Sequence, residues 1–381
     1  MTEIYLIRHA EAEGNLYRIA QGQFNSYITA KGRLQIDVLA ERFKDIKLDA
    51  LYSSDLRRTV ETAGAILKYH DLPLQTMKEL REINLGVCEG MSFGEMAEYN
   101  PQQMRYFNND PKRWRAPGAE SVEECVNRVM TAITDIAEAN DGKTVAVVSH
   151  GMAIRSLIAE ITGVKSSEIE KLPHGDNTSV CLLRYESGKF ELEYFNDNSH
   201  LPPELSTLAT QSWWRKETGG KDDANLSYRP LNPHTEGEIY GRFYADAWAA
   251  AHGNLKGFSE KAYVAAARNR YDENPRSILG VYRSGELIGV LDLDMRRGKA
   301  EGYGWISLVY LKPEYRNMGL GVQPLGYAIT IFERDGRKSV RLHASAENEH
   351  ALGFYEHYGF KIIATEPGVG APLYLMEKVF Q

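Results

Sequence analysis

Leu6-Ile7-Arg8-His9-Ala10-Glu11 decides the fold of the first half of this 381-residue chain, because it sets an arginine and a histidine at the end of a short apolar run. Ile4 to Ile7 predict a buried strand, and open α/β sheets bind ligands beyond the carboxyl ends of their strands. A neutral imidazole can attack phosphorus, and a neighbouring guanidinium can clamp phosphoryl oxygens in a bidentate fork. The pair therefore predicts a site for a phosphorylated ligand, provided that further cationic groups arrive from elsewhere in the chain.

Such groups recur at predicted strand ends downstream. Asn15 and Gln21-Gly22 fall in a polar loop able to fold back over a ligand. Thr29 caps an amphipathic helix predicted over 30–43 from Leu34, Val38, Leu39 and Phe43. Ala50-Leu51-Tyr52 predict a strand, and Ser53 to Thr59 open the next helix with several possible N-caps, bringing Arg58 to a second strand end. Leu80 to Gly90 is glycine-punctuated and aperiodic, a loop in which Glu82 and Glu89, with Glu79 just before it, are candidate acids. Ser121 and Glu124 form a capping box. Thr144 to Val148 reads as a central parallel strand, and Ser149-His150-Gly151 then opens a helix whose N–H groups are offered to an anion.

Arg8-His9 with Asn15, the Ser54-Asp55-Leu56-Arg57-Arg58 run, Glu82 before Gly86 and Glu89-Gly90, Pro117-Gly118-Ala119-Glu120-Ser121, and Ser149-His150-Gly151 together resemble the histidine phosphatase superfamily, which also holds the cofactor-dependent phosphoglycerate mutases. Several motifs in the right order are far more specific than any one of them. The resemblance implies a three-layer α/β/α phosphoglycerate mutase-like fold and a phosphohistidine intermediate on His9, with Arg8, Arg58 and His150 gathering the phosphoryl oxygens. Glu82 would protonate the leaving oxygen and then activate water, while Asn15, Gln21, Gly22 and Gly151 fall at substrate-binding positions. Phosphoryl transfer spreads negative charge over three equatorial oxygens, so its catalysis is mostly positioning and cationic stabilisation. Mutases resembling this sequence usually carry a basic residue directly after the acid and a longer insertion before the Pro-Gly-x-Glu-Ser motif. Here Ile83 follows Glu82 and the connection is short, so hydrolysis of a small phosphate monoester is expected, with a mutase as the alternative.

Phe195 to Pro203 reads as the end of this domain, giving a histidine phosphatase domain over 1–203, a linker over 204–226 and a second domain over 227–381. Within the linker Gly219 to Asp223 is a flexible polar run, and Trp213-Trp214 is expected to pack against one domain. The second domain places helices before strands: Ile239 to Ala251, then a helix capped by Ser259, then a hairpin around Arg283-Ser284-Gly285-Glu286 and strands at Trp305 to Leu311 and Ser339 to Ala344. Between the third of these strands and a helix, Arg316-Asn317-Met318-Gly319-Leu320-Gly321 is a phosphate cradle, since glycines admit close backbone approach and a helix N-terminus meets a pyrophosphate. With Asn348-x-x-Ala351-x-x-Phe354-Tyr355-x-x-Tyr358-Gly359-Phe360 this half resembles the GNAT acyltransferase superfamily. The resemblance implies an α+β domain that holds acetyl-CoA between two splayed parallel strands. Val309 and Leu311 would pair the pantetheine arm, Arg316, Gly319 and Gly321 would receive the pyrophosphate, and Asn348 would contact the cofactor. Tyr355 would protonate the leaving thiolate, and the general base stays open among Glu301, Asp292 and His343.

Composition bounds what this enzyme can meet. At 43% hydrophobic and 25% charged residues, with no long uncharged apolar run, the sequence has the make-up of a globular protein outside the bilayer. A net charge of −7 gives no reason to expect nucleic acid or an anionic membrane as partner, and any anionic substrate must be held by local cations. Three scattered cysteines and histidines without ligand spacing predict a reducing compartment and no metal. Glu3 and Arg8 interrupt the first apolar run, so no signal peptide is expected and a cytoplasmic location follows. The sequence thus describes a bifunctional enzyme: a phosphatase for a small phosphorylated metabolite joined to an N-acetyltransferase for a small amine. Fusion suggests that both act on one metabolite, such as a phosphorylated amine; an acyl-CoA sensor regulating the phosphatase is the alternative. Nothing in the sequence indicates an oligomeric state.

Overall fold

The computed structural model describes residues 1–211, 225–369 and 371–380. These form two compact units, one of residues 1–91 and 96–211 and one of residues 92–95 and 225–380. Trp213-Trp214 and the polar run from Gly219 to Asp223 lie outside the described residues.

The first half of the chain runs β1 (Thr2–Arg8), α1 (Glu13–Tyr17), α2 (Ala30–Phe43), β2 (Ala50–Ser54), α3 (Arg57–Leu67), β3 (Leu74–Met77), α4 (Phe93–Tyr99), α5 (Pro101–Asn109), α6 (Val122–Ala139), β4 (Thr144–Ser149), α7 (Gly151–Thr162), β5 (Val180–Glu186), β6 (Lys189–Asp197) and α8 (Thr207–Thr210). The sheet order is β3-β2-β4-β1-β5-β6, with the first four strands parallel and the last two antiparallel. Strand alternation sends Ile7, Leu51, Ala146 and Val148 into a core with Leu39, Ala40 and Phe43 of α2 and Ala63 and Ile66 of α3. The opposite face meets α6 and α7, where the Asn140 amide donates to the Tyr52 hydroxyl at 3.0 Å. This is the three-layer α/β/α arrangement.

Local chemistry explains where the helices begin. Thr29 Oγ1 accepts from the Gly32 amide at 2.9 Å, and Ser121 and Glu124 exchange bonds of 3.2 and 2.7 Å in a capping box. At α3 the expected side-chain cap does not form: the N-cap is Leu56, and Asp55 is instead held by Arg81 through bonds of 2.5 and 2.6 Å. On α2 the apolar stripe also differs from expectation, since Leu34 is exposed while Gln35 is fully buried. The amide of Gln35 is satisfied by the Glu11 N–H at 2.7 Å and the Leu205 carbonyl at 2.7 Å, which is what permits its burial. Leu205 belongs to the expected linker, whose opening residues are therefore ordered within the first unit, with Ser206 Oγ capping α8 through the Ala209 amide at 2.9 Å.

The second unit runs β7 (Leu226–Pro230), α9 (Gly237–His252), α10 (Glu260–Glu273), β8 (Ile278–Arg283), β9 (Glu286–Asp294), β10 (Tyr303–Leu311), α11 (Val322–Arg334), β11 (Ser339–Ser345), α12 (Glu349–His357), β12 (Lys361–Glu366) and β13 (Leu373–Val379). Its sheet order is β12-β13-β11-β10-β9-β8-β7, antiparallel except for the β10–β11 pair. The β8–β9 hairpin turns at Ser284 and Gly285, with φ of 50° and 86°, the two left-handed positions of a tight hairpin turn. Among the described residues no helix is long and apolar enough to cross a membrane.

One buried ion pair ties the helices of this unit to its sheet. Asp292 of β9 is fully buried and accepts from Arg270 Nε at 3.0 Å, Arg270 Nη2 at 2.6 Å and the Tyr240 hydroxyl at 2.7 Å. Removing the carboxylate would leave a guanidinium and a phenol without their acceptor. Asp292→Ala is therefore expected to cost about 3–5 kcal/mol of unfolding free energy, measured by urea titration of the full chain. A loss below about 1 kcal/mol would show that solvent replaces the pair.

Candidate active sites

The β1–β4 ladder runs in register from Glu3↔Thr144 to Arg8↔Ser149, so His9 and His150 leave adjacent strands at the same level. Their rings lie 5.3 Å apart between centroids, and both are buried. The Ala10 carbonyl, which can only accept, lies 2.7 Å from His9 Nδ1, so Nδ1 carries the proton and Nε2 carries the lone pair. The main chain of His9 is held on both sides, its amide by the Ser149 carbonyl at 3.0 Å and its carbonyl by the Asn177 amide group at 2.9 Å. Burial, with the charges of Arg58 and Arg8 adding to it, holds the His9 imidazole well below its ordinary range. Burial and Arg58 do the same to His150. A nitrogen that is to act as nucleophile must be neutral, and these surroundings keep it so.

Arg8 donates through Nη1 to the Gly175 carbonyl, and Arg58 donates to the carbonyls of Gly22 at 2.7 Å and Phe24 at 2.9 Å. Burial lowers Arg58 to about 10, which leaves it charged at neutral pH. What remains is informative: Arg8 Nε, Arg58 Nε and both ring nitrogens of His150 are buried with no hydrogen-bond partner among the described residues. Buried nitrogens are normally paired, and this set draws from three separate parts of the chain. An anion rich in oxygens would complete them.

Glu82 sits at the mouth of α7. Its Oε2 accepts from the Met152 amide at 3.0 Å, and its Oε1 from the amides of Ala153 at 2.8 Å and Ile83 at 3.1 Å. The helix N-terminus that the sequence offers to an external anion is thus taken by this carboxylate. The rivals are placed elsewhere: Glu79 is exposed, and Glu89 Oε1 accepts from the Gln23 and Leu85 amides at 2.8 and 3.1 Å.

The expected substrate-binding residues divide. Gly22 and Gly151 border the cluster: Gly22 gives its carbonyl to Arg58, and a Cβ on Gly151 would stand 3.1 Å from Arg8 Nε. Gly22 has φ of 51°, and a Cβ there would meet Glu89 Oε1 at 2.5 Å, so the loop requires glycine. Asn15 and Gln21 instead use their side chains locally, Asn15 Oδ1 on the Ala12 amide at 3.0 Å and Gln21 Oε1 on the Ser26 hydroxyl at 2.5 Å.

Two groups of residues escape sequence reasoning. Arg128 grips Glu120 with two bonds of 2.8 Å and donates to the carbonyls of Glu79, Arg81 and Glu82, shaping the loop that carries the acid. The segment Gly175 to Ser179 receives Arg8 and supports His9. Neither is part of a recognisable motif, and apart from the Arg128–Glu120 pair their partners are distant in sequence.

In the second unit the β10–β11 ladder extends only from Tyr303↔Ser339 to Ile306↔Leu342. Beyond it β10 pairs with β9 and β11 with β13, and the β9–β10 register shifts between Ile306 and Leu308. The parallel strands thus part where Val309 and Leu311 are expected to receive pantetheine. Gly319 has φ of 72° with open space around it, and Gly321 begins α11 without any side-chain cap. A left-handed glycine and uncapped amides at a helix start fit the pyrophosphate of an acyl-CoA. Arg316 reaches the Leu311 carbonyl at 2.8 Å and Asp246 at 3.2 Å, while Asn348 Oδ1 caps α12 through the Ala351 amide at 3.0 Å. Tyr355 is partly buried, its hydroxyl has no hydrogen-bond partner among the described residues, and burial pushes it up to about 12. No group of three or more His, Cys, Asp or Glu among the described residues is arranged to hold a metal.

Comparison with known proteins agrees with both arrangements. Residues 4–198 match the histidine phosphatase superfamily (branch 1), and residues 242–360 match the acetyltransferase (GNAT) family. The probable phosphoglycerate mutase GpmB of Salmonella choleraesuis (strain SC-B67) is 32% identical over 214 residues, covering 55% of this chain and 99% of that protein. The phosphoglycerate mutase-like protein 4 of Arabidopsis thaliana is 34% identical over 203 residues, covering 52% of this chain and 86% of that protein. Among solved structures, Bacillus stearothermophilus YhfR is similar with 30% identity and a TM-score of 0.51, covering 52% of this chain and 99% of its own.

The buried imidazoles set an acid limit for the first unit. Burial followed by Arg155 brings His174 down to about 3, and burial followed by Arg42 brings His200 down to about 4. Histidine in an unfolded chain titrates near about 6.5, so below that pH the unfolded state takes up protons before the folded one. Stability is complete above about pH 6.5 and is lost progressively as the pH falls toward about 4. Urea midpoints measured across that interval should decline steadily, and a flat profile would show that these rings are already charged when folded.

Proposed function

We propose, for a chain that belongs to the histidine phosphatase superfamily and carries a GNAT-family domain in its second half, that the first site hydrolyses a small phosphate monoester and the second acylates a small amine. The observation that carries the first activity is the neutral Nε2 of His9 beside buried, unpartnered nitrogens of Arg8, Arg58 and His150. His9 Nε2 attacks phosphorus, the N–P bond forms and the ester P–O bond breaks, while the proton that the monoester monoanion brings passes through Glu82 to the departing oxygen. Glu82 then takes a proton from water as that water attacks phosphorus, the N–P bond breaks, and inorganic phosphate leaves. Arg8, Arg58 and His150 hold the equatorial oxygens through both steps.

Hydrolysis is favoured over a mutase because the residue after the acid, Ile83, is buried and carries no charge for a second phosphate or carboxylate. The relatives named as mutases keep the other reading in view. Incubation with a bisphosphorylated sugar acid separates the two, since a mutase moves the phosphoryl group to an acceptor and a phosphatase releases it.

For the second site, bound acyl-CoA supplies an activated thioester. Tyr355, protonated at neutral pH, is suited to give a proton to the leaving sulfur. Among the three candidate bases Asp292 is buried and fully engaged, and Glu301 is exposed in the turn before β10. His343 fits better: it is the first residue of β11 past the last β10 pair, and its Nε2 lies 3.1 Å from Glu366 Oε2. Burial lowers His343, leaving a neutral ring able to take the amine proton.

A substrate screen that follows phosphate and thiol release together tests both assignments. His9→Ala should reduce phosphate release to background and abolish an acid-labile phosphoenzyme, with thiol release unchanged. Tyr355→Phe should slow thiol release roughly 10²-fold and leave phosphate release intact. Tight CoA binding without turnover on any amine would replace the acyltransferase by an acyl-CoA sensor. Phosphate release that survives His9→Ala would remove His9 as the nucleophile.

A further inference from the structure

We propose that the segment Leu205–Gln211, which follows the last strand of the first unit, is a positioning element of the phosphoryl-transfer site, with Thr207 as its central residue. The proposal rests on the phosphatase reading of that site. His9 is held between two stretches of chain, one running from Ala10 to Glu11 and the other from Gly175 to Ser179, and the segment is bonded to both.

On the first side, Glu11 is almost wholly buried, and its Oε2 accepts from the Thr207 hydroxyl at 3.1 Å while Lys31 Nζ lies 3.2 Å from the same oxygen. Its Oε1 accepts from Thr29 Oγ1 at 2.8 Å, and its amide donates to Gln35 Oε1 at 2.7 Å. Gln35 Nε2 in turn donates to the Leu205 carbonyl at 2.7 Å and to Thr207 Oγ1 at 3.2 Å. The end of the segment reaches further, since Lys31 Nζ donates to Thr210 Oγ1 at 2.9 Å and Gln211 Nε2 to the Asn15 carbonyl at 3.4 Å.

On the second side, Asp176 is also almost wholly buried and, among the described residues, has no arginine or lysine bonded to it. Its Oδ1 accepts from the amides of Thr207 at 3.0 Å, Leu208 at 3.3 Å and Asn177 at 2.9 Å, and its Oδ2 from Ser206 Oγ and from the Asn198 amide group at 3.2 Å. Its chain neighbours carry the load at the site: the Gly175 carbonyl receives Arg8, and Asn177 holds the His9 carbonyl. Asn177 Oδ1 is itself buried without a partner among the described residues, where the side chain is aligned by the bond to His9 and by its backbone.

Thr207 therefore meets both flanks at once. Its hydroxyl donates to Glu11 and accepts from Gln35, and its amide donates to Asp176. A carboxylate buried without a full complement of donors is costly, and docking of the segment completes the donor set of each acid. Orientation of the nucleophile is worth much in rate, because small misplacements of a reacting atom cost factors of ten to a hundred. The role is one of positioning: none of these residues is placed against the phosphoryl group.

The test uses the full chain and p-nitrophenyl phosphate, with circular dichroism and a thermal midpoint recorded for every variant. Thr207→Val keeps the shape and removes the hydroxyl; kcat should fall about tenfold with KM within twofold, and rapid-quench phosphohistidine formation should slow in parallel. Thr207→Ser should restore kcat to within twofold of the parent. Ser206→Ala, which removes one bond to Asp176 from the other flank, should lower kcat in the same direction with a native spectrum. The inference is overturned if Thr207→Val and Ser206→Ala both keep kcat and KM within twofold. It is equally overturned if activity falls only in proportion to lost folded protein and serine gives no rescue. A parent enzyme that hydrolyses no monoester, although folded, would instead overturn the phosphatase reading and the inference with it.

Discussion

The parallel ladder between β1 and β4 is the constraint on which the first site depends. Because Arg8 is paired with Ser149, the residues that follow each strand, His9 and His150, emerge side by side. A parallel pair requires a long crossover, so two histidines separated by most of a domain are brought together by strand order alone. A slip of one residue would turn Arg8 to the opposite face and carry the guanidinium away from the rings. The buried core beneath α2 and α3 opposes that slip, since Ile7 would leave it while its partner Val148 stayed.

Once assembled, the cluster is an electrostatic device inside a chain of net charge −7. Burial, with the two guanidinium groups adding to it, depresses the imidazoles of His9 and His150 and keeps them neutral. The same groups present unpartnered nitrogens to whatever anion arrives. Attraction for an anion is therefore local and comes from the convergence of donors rather than from the field of the whole protein. Glu82 balances this by lying at the α7 terminus, where amide dipoles hold it beside the cations.

The second unit reaches its site by the opposite device, an interruption of pairing. The β10–β11 ladder stops after Ile306↔Leu342, and the strands part just before the loop with Gly319 and Gly321. Main-chain groups released there and amides at the start of α11 suit a long ligand with a pyrophosphate at one end. His343 lies on β11 just past the last pair with β10, and Tyr355 lies on α12, the helix that follows.

Much of this was legible in the sequence because it is local. Short apolar runs marked the strands, Thr29 and the Ser121–Glu124 box marked helix starts, Ser284-Gly285 marked the hairpin, and Arg8-His9, Arg58, Glu82 and Ser149-His150-Gly151 stood in recognisable order. Such signals work because capping and turn chemistry act within a few residues. What only the tertiary structure decided are partnerships across long separations: Glu82 on the α7 amides, Asp55 on Arg81 instead of capping α3, Arg128 on the acid loop, and buried Gln35 in place of Leu34. Residues 205–211 fall in the stretch read as linker over 204–226, yet their hydroxyls and main-chain groups meet Glu11, Gln35 and Asp176. A polar residue looks the same in a sequence whether water or a buried carboxylate will satisfy it, and only the folded chain determines which.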